Sequence, residues 1–117
     1  MNGIGGSTAE RELADLKPWP NPAAPITRDE RLARLAKAQS LMTTDAVIIG
    51  AGASLRYFAG VGWNATERLV AMVLPRTGAP VMVCPHFELG SLQAAMGIEA
   101  DIRLWEEHES PYALTAR

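Results

Sequence analysis

The chain holds one cysteine, Cys84, in 117 residues. A lone thiol closes no internal disulfide, so the fold has to rest on its apolar core, and the usage fits a reducing compartment. Long apolar runs are missing as well. The longest, Ala46–Ile49 and Leu69–Leu74, are strand-sized and far short of the ~20 residues a helix needs to cross a bilayer. Positive charge is not in excess: 11 basic and 13 acidic residues leave a net charge of −2. Such a chain has no basic field to draw nucleic acid or an anionic membrane. Met1–Glu10 lacks both the basic start and the apolar stretch of a secretory signal. These absences lead to the expectation of a cytoplasmic, soluble domain with no nucleic-acid or membrane partner. What is present is ordinary for a globular fold, with 48% apolar and 21% charged residues in a length that suits one domain.

The N-terminal stretch Met1–Ser7 is Gly-rich and is expected to fray. Ser7-Thr-Ala-Glu10 has capping-box spacing, with Leu13 and Leu16 following on one face, which predicts a short helix over 8–16. Lys17-Pro-Trp-Pro-Asn-Pro-Ala-Ala-Pro25 carries four prolines, which fix φ and remove donors, so it reads as an extended connector. Trp19 within it is expected to pin the connector to a globular surface. Thr27-Arg-Asp-Glu30 is a second capping box, and Leu32, Leu35, Ala36 and Met42 recur at helical spacing, which predicts a helix over 28–42.

Asp45-Ala-Val-Ile-Ile-Gly50 reads as a strand buried on both faces. Ala53–Phe58 allows one or two helical turns before Gly60 and Gly62 break the pattern. Arg68–Leu74 and Val81–Cys84, joined by the turn Pro75–Pro80, form a hairpin over 68–84. Phe87–Met96 is helical, with Gly97 as its stop, and Asp101–Leu104 is an edge strand. This order predicts an α/β fold: a mixed sheet of about four to six strands flanked by helices.

Several residue groups invite chemistry. Val47-Ile-Ile-Gly-Ala-Gly-Ala-Ser-Leu55 looks like the start of a dinucleotide fingerprint. Its third glycine position is Leu55, no long helix follows, and no acid stands ready for a ribose, so a strand-to-helix turn is the favoured reading. Cys84-Pro-His86 puts a thiol near an imidazole, but the proline between them fixes a separation that opposes contact. A buried, inert Cys84 and a surface His86 are expected. Glu106, Glu107, His108 and Glu109 point in different directions if extended and do not converge on one ion, so a solvated acidic linker is expected.

Arg68 offers the rigid guanidinium fork that suits carboxylates. Trp63 lies between glycines and polar residues, where a core tryptophan is not expected. On spacing alone, Arg68 paired with Glu67 or another nearby acid, and Trp63 packed over the sheet edge, are the favoured readings.

Leu55-Arg-Tyr-Phe-Ala-Gly60, a variable loop and Glu67-Arg-Leu-Val-Ala-Met-Val-Leu-Pro75 together resemble the N-terminal domain of the creatinase/prolidase family, the pita-bread metallopeptidases. The preceding helix with Asp45–Gly50, the hairpin through Val81-Met-Val-Cys-Pro85 and the helix led by Phe87-Glu88 agree in order. The stretch Leu104–Leu114 is similar to the linker into the catalytic domain of bacterial Xaa-Pro dipeptidases. The likeness runs from about Trp19 onward. It implies the family's N-terminal α/β domain with its ribonuclease H-like motif over 27–105. Ahead of it would stand an N-terminal helix and Pro-rich connector over 1–26, and after it the start of a linker over 106–117.

The resemblance also implies a function. The family's catalytic domain holds two divalent metals (such as Mn) through Asp, Asp, His, Glu and Glu, and no segment of this chain matches it. The chain would then carry no catalytic residue, no metal site and no cofactor. It would serve a proline dipeptidase by forming a homodimer, by packing on the C-terminal catalytic domain and by shaping the partner subunit's substrate pocket. Trp63 and Arg68 fall where the family places a pocket-capping aromatic and a carboxylate-binding Arg. An Xaa-Pro aminopeptidase or creatinase-like parent, and a free-standing protein-interaction module, are the alternatives.

Overall fold

Thr8 caps the first helix, α1 (Ala9–Asp15), in the computed structural model, which describes residues 4–117. Its hydroxyl accepts a hydrogen bond from Arg11 N at 3.3 Å. The cap therefore lies one residue beyond the expected Ser7, because Thr8 is the residue with extended backbone from which a hydroxyl reaches the first turn. Of the stretch expected to fray, residues 1–3 lie outside the described residues, and Ile4–Gly6 makes a single 3₁₀ turn.

Helix α1 buries no residue, and Leu13 and Leu16 stand 68% and 72% exposed. The connector after it does not lie down on the body. Trp19, expected to pin it there, is 80% exposed. Pro18 and Pro20 on either side hold the chain extended, and the arm projects away from the surface it was expected to touch. The longest dimension of the molecule is accordingly 62 Å against 35 and 22 Å for the others. Its radius of gyration is 19.9 Å, where a compact chain of this length comes to about 13 Å. Arg31 ties down the arm's last residues by donating from Nη1 to Ile26 O at 3.1 Å.

Helix α2 (Arg28–Leu41) starts at Thr27, whose hydroxyl accepts from Glu30 N at 3.2 Å. Asp29 and Glu30 occupy the first turn, where the helix dipole favours carboxylates. Only half of the expected capping box is seen, because the Glu30 carboxylate pairs instead with Arg34 one turn on, at 3.6 Å.

Strand β1 (Ala46–Gly50), helix α3 (Ala53–Ala59), strands β2 (Ala71–Pro75) and β3 (Val81–Pro85), helix α4 (Leu89–Ala95), strand β4 (Asp101–Trp105) and helix α5 (Pro111–Thr115) follow. The strands form one sheet in the order β1-β2-β3-β4. The first three run antiparallel and β4 lies parallel to β3. Ile49, Met72, Met82 and Ile102 stand in register across the sheet. Strand alternation puts Leu74 and Cys84 on the same face as this row, where Leu35 of α2, Leu55 and Ala59 of α3 and Leu92 of α4 complete the core. The opposite face presents Ala71, Val73, Val81 and Val83 and is covered by α5. The mixed four-stranded sheet with helices on its faces is the expected α/β fold.

Three expectations need correction. Strand β1 is not buried on both faces: only Ile49 is buried and Ile48 is 60% exposed. It is an edge strand, and α5 covers the back of β3 and β4 without reaching it. The hairpin's first strand starts at Ala71 rather than Arg68. Leu69 O, just before it, is engaged outside the ladder by Trp105 Nε1 at 3.2 Å. The helix expected over 87–96 is a 3₁₀ turn, His86–Glu88, leading into α4, because Pro85 ends β3 directly before it.

Two glycines fix how α2 meets the ends of α3 and α4. Gly60 ends α3 in the left-handed region, φ 78°, and Gly97 follows α4 and donates to Ala59 O at 2.7 Å. The Arg31 guanidinium lies against both: a Cβ at Gly60 would sit 2.9 Å from its Nε, and one at Gly97 2.8 Å from its Nη1. A side chain at either position would displace Arg31. At Gly60 it would also adopt a backbone conformation that costs about 1 kcal/mol or more.

The burial pattern sets a test of the core. Leu55→Ala is expected to lower unfolding free energy by about 2–5 kcal/mol, as for other large-to-small core changes. Ile48→Ala, on the exposed side of β1, is expected to stay within about 0.5 kcal/mol. Urea denaturation followed by circular dichroism measures both. Equal losses would show that β1 is buried as the apolar run Ala46–Ile49 suggests.

Candidate functional site

The loop from Gly60 to Val70 leaves the end of α3, passes the C-terminal end of β3 and enters β2. Val61 and Val70 are fully or almost fully buried and anchor its two ends. Trp105, the last residue of β4, anchors it again through the indole N–H to Leu69 O. Between these anchors the loop carries Trp63 and Arg68. Trp63 is half-buried and packs against the core cluster, so its flanking glycines and polar residues mark a loop that folds back over the sheet end.

Both side chains line one small cavity of about 180 Å³. Thr66, Glu67, Val70, Pro85, Phe87 and Glu88 complete its wall. Thr66 shapes the approach to Arg68. Its hydroxyl accepts from Arg68 N at 3.2 Å and lies 3.3 Å from Arg68 O. The guanidinium is 5.6 Å from the centre of the Phe87 ring, within cation–π range.

Arg68 is held by two carboxylates. Its Nε donates to Glu107 Oε1 at 2.8 Å and its Nη1 to Glu67 Oε1 at 3.0 Å. The hydrogen bond that Arg68 donates to Glu107, then the charge of that carboxylate, raise the Arg68 pKa above its ordinary value. The cation is therefore permanent, and it offers donors only. Both acids are largely exposed, so these contacts are screened and weak, and a competing carboxylate can take their place.

Glu107 comes from the turn Glu106–Glu109, expected to be a solvated linker. The turn is closed on itself, with Glu109 N donating to Glu106 O at 2.9 Å and Glu106 N to Glu109 Oε2 at 2.8 Å. It also meets His86, whose Nδ1 contacts the Glu106 carboxylate. Its exposure agrees with the expectation; its docking onto Arg68 and His86 does not, and follows from the parallel pairing that sets Trp105 beside Pro85. Neither Phe87 nor Thr66 is marked as a site residue by the sequence, and Glu107 stands out there only as part of an acidic linker. The Pro85 that ends β3 was the one available signal for Phe87, since a residue forced out of a strand at a sheet end faces the neighbouring loop.

The other candidates separate. Cys84 is buried with no exposed surface and His86 is exposed. Burial, then the charge of Glu88, push the Cys84 thiol up to about 11. That leaves almost no thiolate near neutral pH, the opposite of an activated nucleophile. Gly50 and Gly52 flank the turn into α3, which is seven residues long, and Leu55 at the position of a third glycine is wholly buried in the core. Among the described residues no group of three or more His, Cys, Asp and Glu side chains could hold a metal ion. No helix there is long and apolar enough to cross a membrane.

Comparison with known proteins shows the family to which the fold belongs. The sequence profile of the Creatinase/Prolidase N-terminal domain matches residues 28–117. The chain belongs to that family. It is 35% identical over 88 residues to the probable dipeptidase PepE of Mycobacterium tuberculosis, covering 74% of this chain and 24% of that protein. The crystal structure of dipeptidase PepE from Mycobacterium ulcerans superposes with a TM-score of 0.65 at 35% identity, covering 77% of this chain and 25% of that one. The creatinase/prolidase N-terminal domain of an X-Pro dipeptidase from Streptococcus pyogenes gives 0.62 at 19% identity, over 71% of this chain and 64% of that one, and shares the fold. The chain thus spans about a quarter of the length of the curated relatives it matches.

The thiol sets a pH test. An unfolded chain has Cys84 at its ordinary value of 9.0 and the folded chain at about 11. Between those values the unfolded state loses the proton first, so this residue's contribution to stability is intact below pH 9 and falls as pH rises toward 11. Cys84→Ala is expected to flatten the stability profile over that window. Iodoacetamide should label native Cys84 far more slowly than the denatured chain, and equal rates would place the thiol at the surface.

Proposed function

We propose that the chain is the non-catalytic N-terminal domain of a proline dipeptidase, whose longer parent hydrolyses Xaa-Pro dipeptides. Residues 27–105 form the working α/β unit, 1–26 a helix and Pro-rich connector, and 106–117 the start of a linker to a C-terminal catalytic domain. Two divalent metals (such as Mn) belong to that catalytic domain, where they activate a water and polarise the scissile carbonyl. Among the described residues no cluster fits them, and the contribution proposed for this chain is to binding and selectivity. The parent is a cytoplasmic homodimer in which this domain reaches the partner subunit's pocket.

One observation carries the reading. Arg68 presents a charged fork at a cavity that also holds Trp63 and Phe87, in a chain 35% identical to proteins named dipeptidases. A dipeptide presents its carboxylate one residue beyond the bond to be cut. A fixed cation at that distance from the metals selects short substrates, because the backbone of a longer peptide carries no charge there. The substrate carboxylate replaces Glu107 on the fork, while Trp63 closes the pocket beside it.

Arg68→Ala in the full-length parent is expected to raise KM for an Xaa-Pro dipeptide by ~10–100-fold, the worth of one charge-assisted hydrogen-bonded pair. Trp63→Ala is expected to increase the activity toward tripeptides relative to dipeptides. An unchanged KM on Arg68→Ala would remove the carboxylate role and leave Arg68 a surface ion pair.

A further inference from the structure

A groove of about 570 Å³ runs along the outer edge of β1. Val47, Ile49 and Leu74 lie along the sheet, and Ala38, Met42 and Phe58 rise from α2 and α3. No residue of the N-terminal arm lines it. The β1 edge carries neither the charge nor the proline by which sheet edges are usually protected. The arm meanwhile exposes Leu13, Leu16 and Trp19 with nothing against them. The molecule therefore holds an open apolar groove and three apolar anchors that do not meet.

The groove lining carries no charged side chain, so what it can take is the apolar face of a segment, such as the one α1 and the connector expose.

The connector decides which groove an arm fills. Lys17–Ile26 is extended over ~30 Å at the ~3.1 Å per residue of a Pro-rich chain, and such segments act as semi-rigid spacers. It leads away from its own body, as the 62 Å length of the molecule records. Folding back would require a sharp reversal in a segment that four prolines hold extended. Presenting the arm to a second copy requires none, and exchange about a two-fold axis buries two arms for one association.

We propose that two copies of this chain exchange N-terminal arms, each placing Leu13, Leu16 and Trp19 in the groove along β1 of the other. The proposal gives a surface to the dimer in the functional reading above and rests on that part of it.

The test uses the whole chain. Sedimentation is run over a concentration series on wild type and on the Leu13→Asp/Leu16→Asp variant, with circular dichroism to confirm folding, which these exposed positions do not threaten. A wild-type dimer whose dissociation constant rises ~tenfold or more in the variant is expected. Separately tagged Leu16→Cys and Val47→Cys chains are then mixed and oxidised, and a disulfide between the two tags is expected. Dimerisation unaffected by the two aspartates overturns the arm exchange in favour of β1 pairing with β1 and leaves the dimer standing. Closure within one chain of the Leu16→Cys/Val47→Cys double variant, as a monomer, overturns it in favour of the chain's own groove. A monomeric wild type overturns it as well, and dimerisation of the longer parent is measured separately, so the two readings fail independently.

Discussion

The row Ile49–Met72–Met82–Ile102 is the constraint on which the rest of the molecule depends. It crosses all four strands in register, and a shift of one residue in any strand would carry its apolar set to the other face. Three helices lie on this row because it is the widest apolar surface available. Their placement fixes where α3 ends, and the end of α3 fixes where the loop bearing Trp63 and Arg68 departs. The site is thus set by the pairing register of strands that contribute only Pro85 to its wall.

Much of this was legible in the residues. Thr27 with acids behind it marked the long helix, Pro75–Pro80 marked the hairpin turn, and Gly97 marked the end of α4. Those signals work because each reports a local demand of the backbone, for a cap, a turn or a stop. Burial of β1 was misjudged for the complementary reason. An apolar run such as Ala46–Ile49 states that a strand exists; whether a second layer covers its far side depends on how far α5 reaches, a fact held some sixty residues away. Trp19 was misplaced by the same logic, since no local rule says whether a surface is near enough for an indole to rest on.

Site residues divide likewise. Trp63 and Arg68 stood out by chemistry, an aromatic among glycines and a cation ahead of an apolar strand. Phe87 and Glu107 join them only through tertiary pairing, β3 beside β4, and no spacing in the sequence encodes that neighbourhood. The open groove along β1 appears only once β1 is known to be an edge.

Parallel pairing of β3 with β4 has a wider consequence. It brings Trp105 alongside Pro85, so the polypeptide emerges from the sheet at the mouth of the cavity that Arg68 lines. Whatever the chain carries in the next few residues is tethered there, and a tether of that length corresponds to an effective concentration of order millimolar. Glu107 is the first group so delivered. A free carboxylate in solution competes with it on unequal terms unless the turn moves, so the resting occupancy of the guanidinium is set by the length of the exit segment as much as by the affinity of the ion pair.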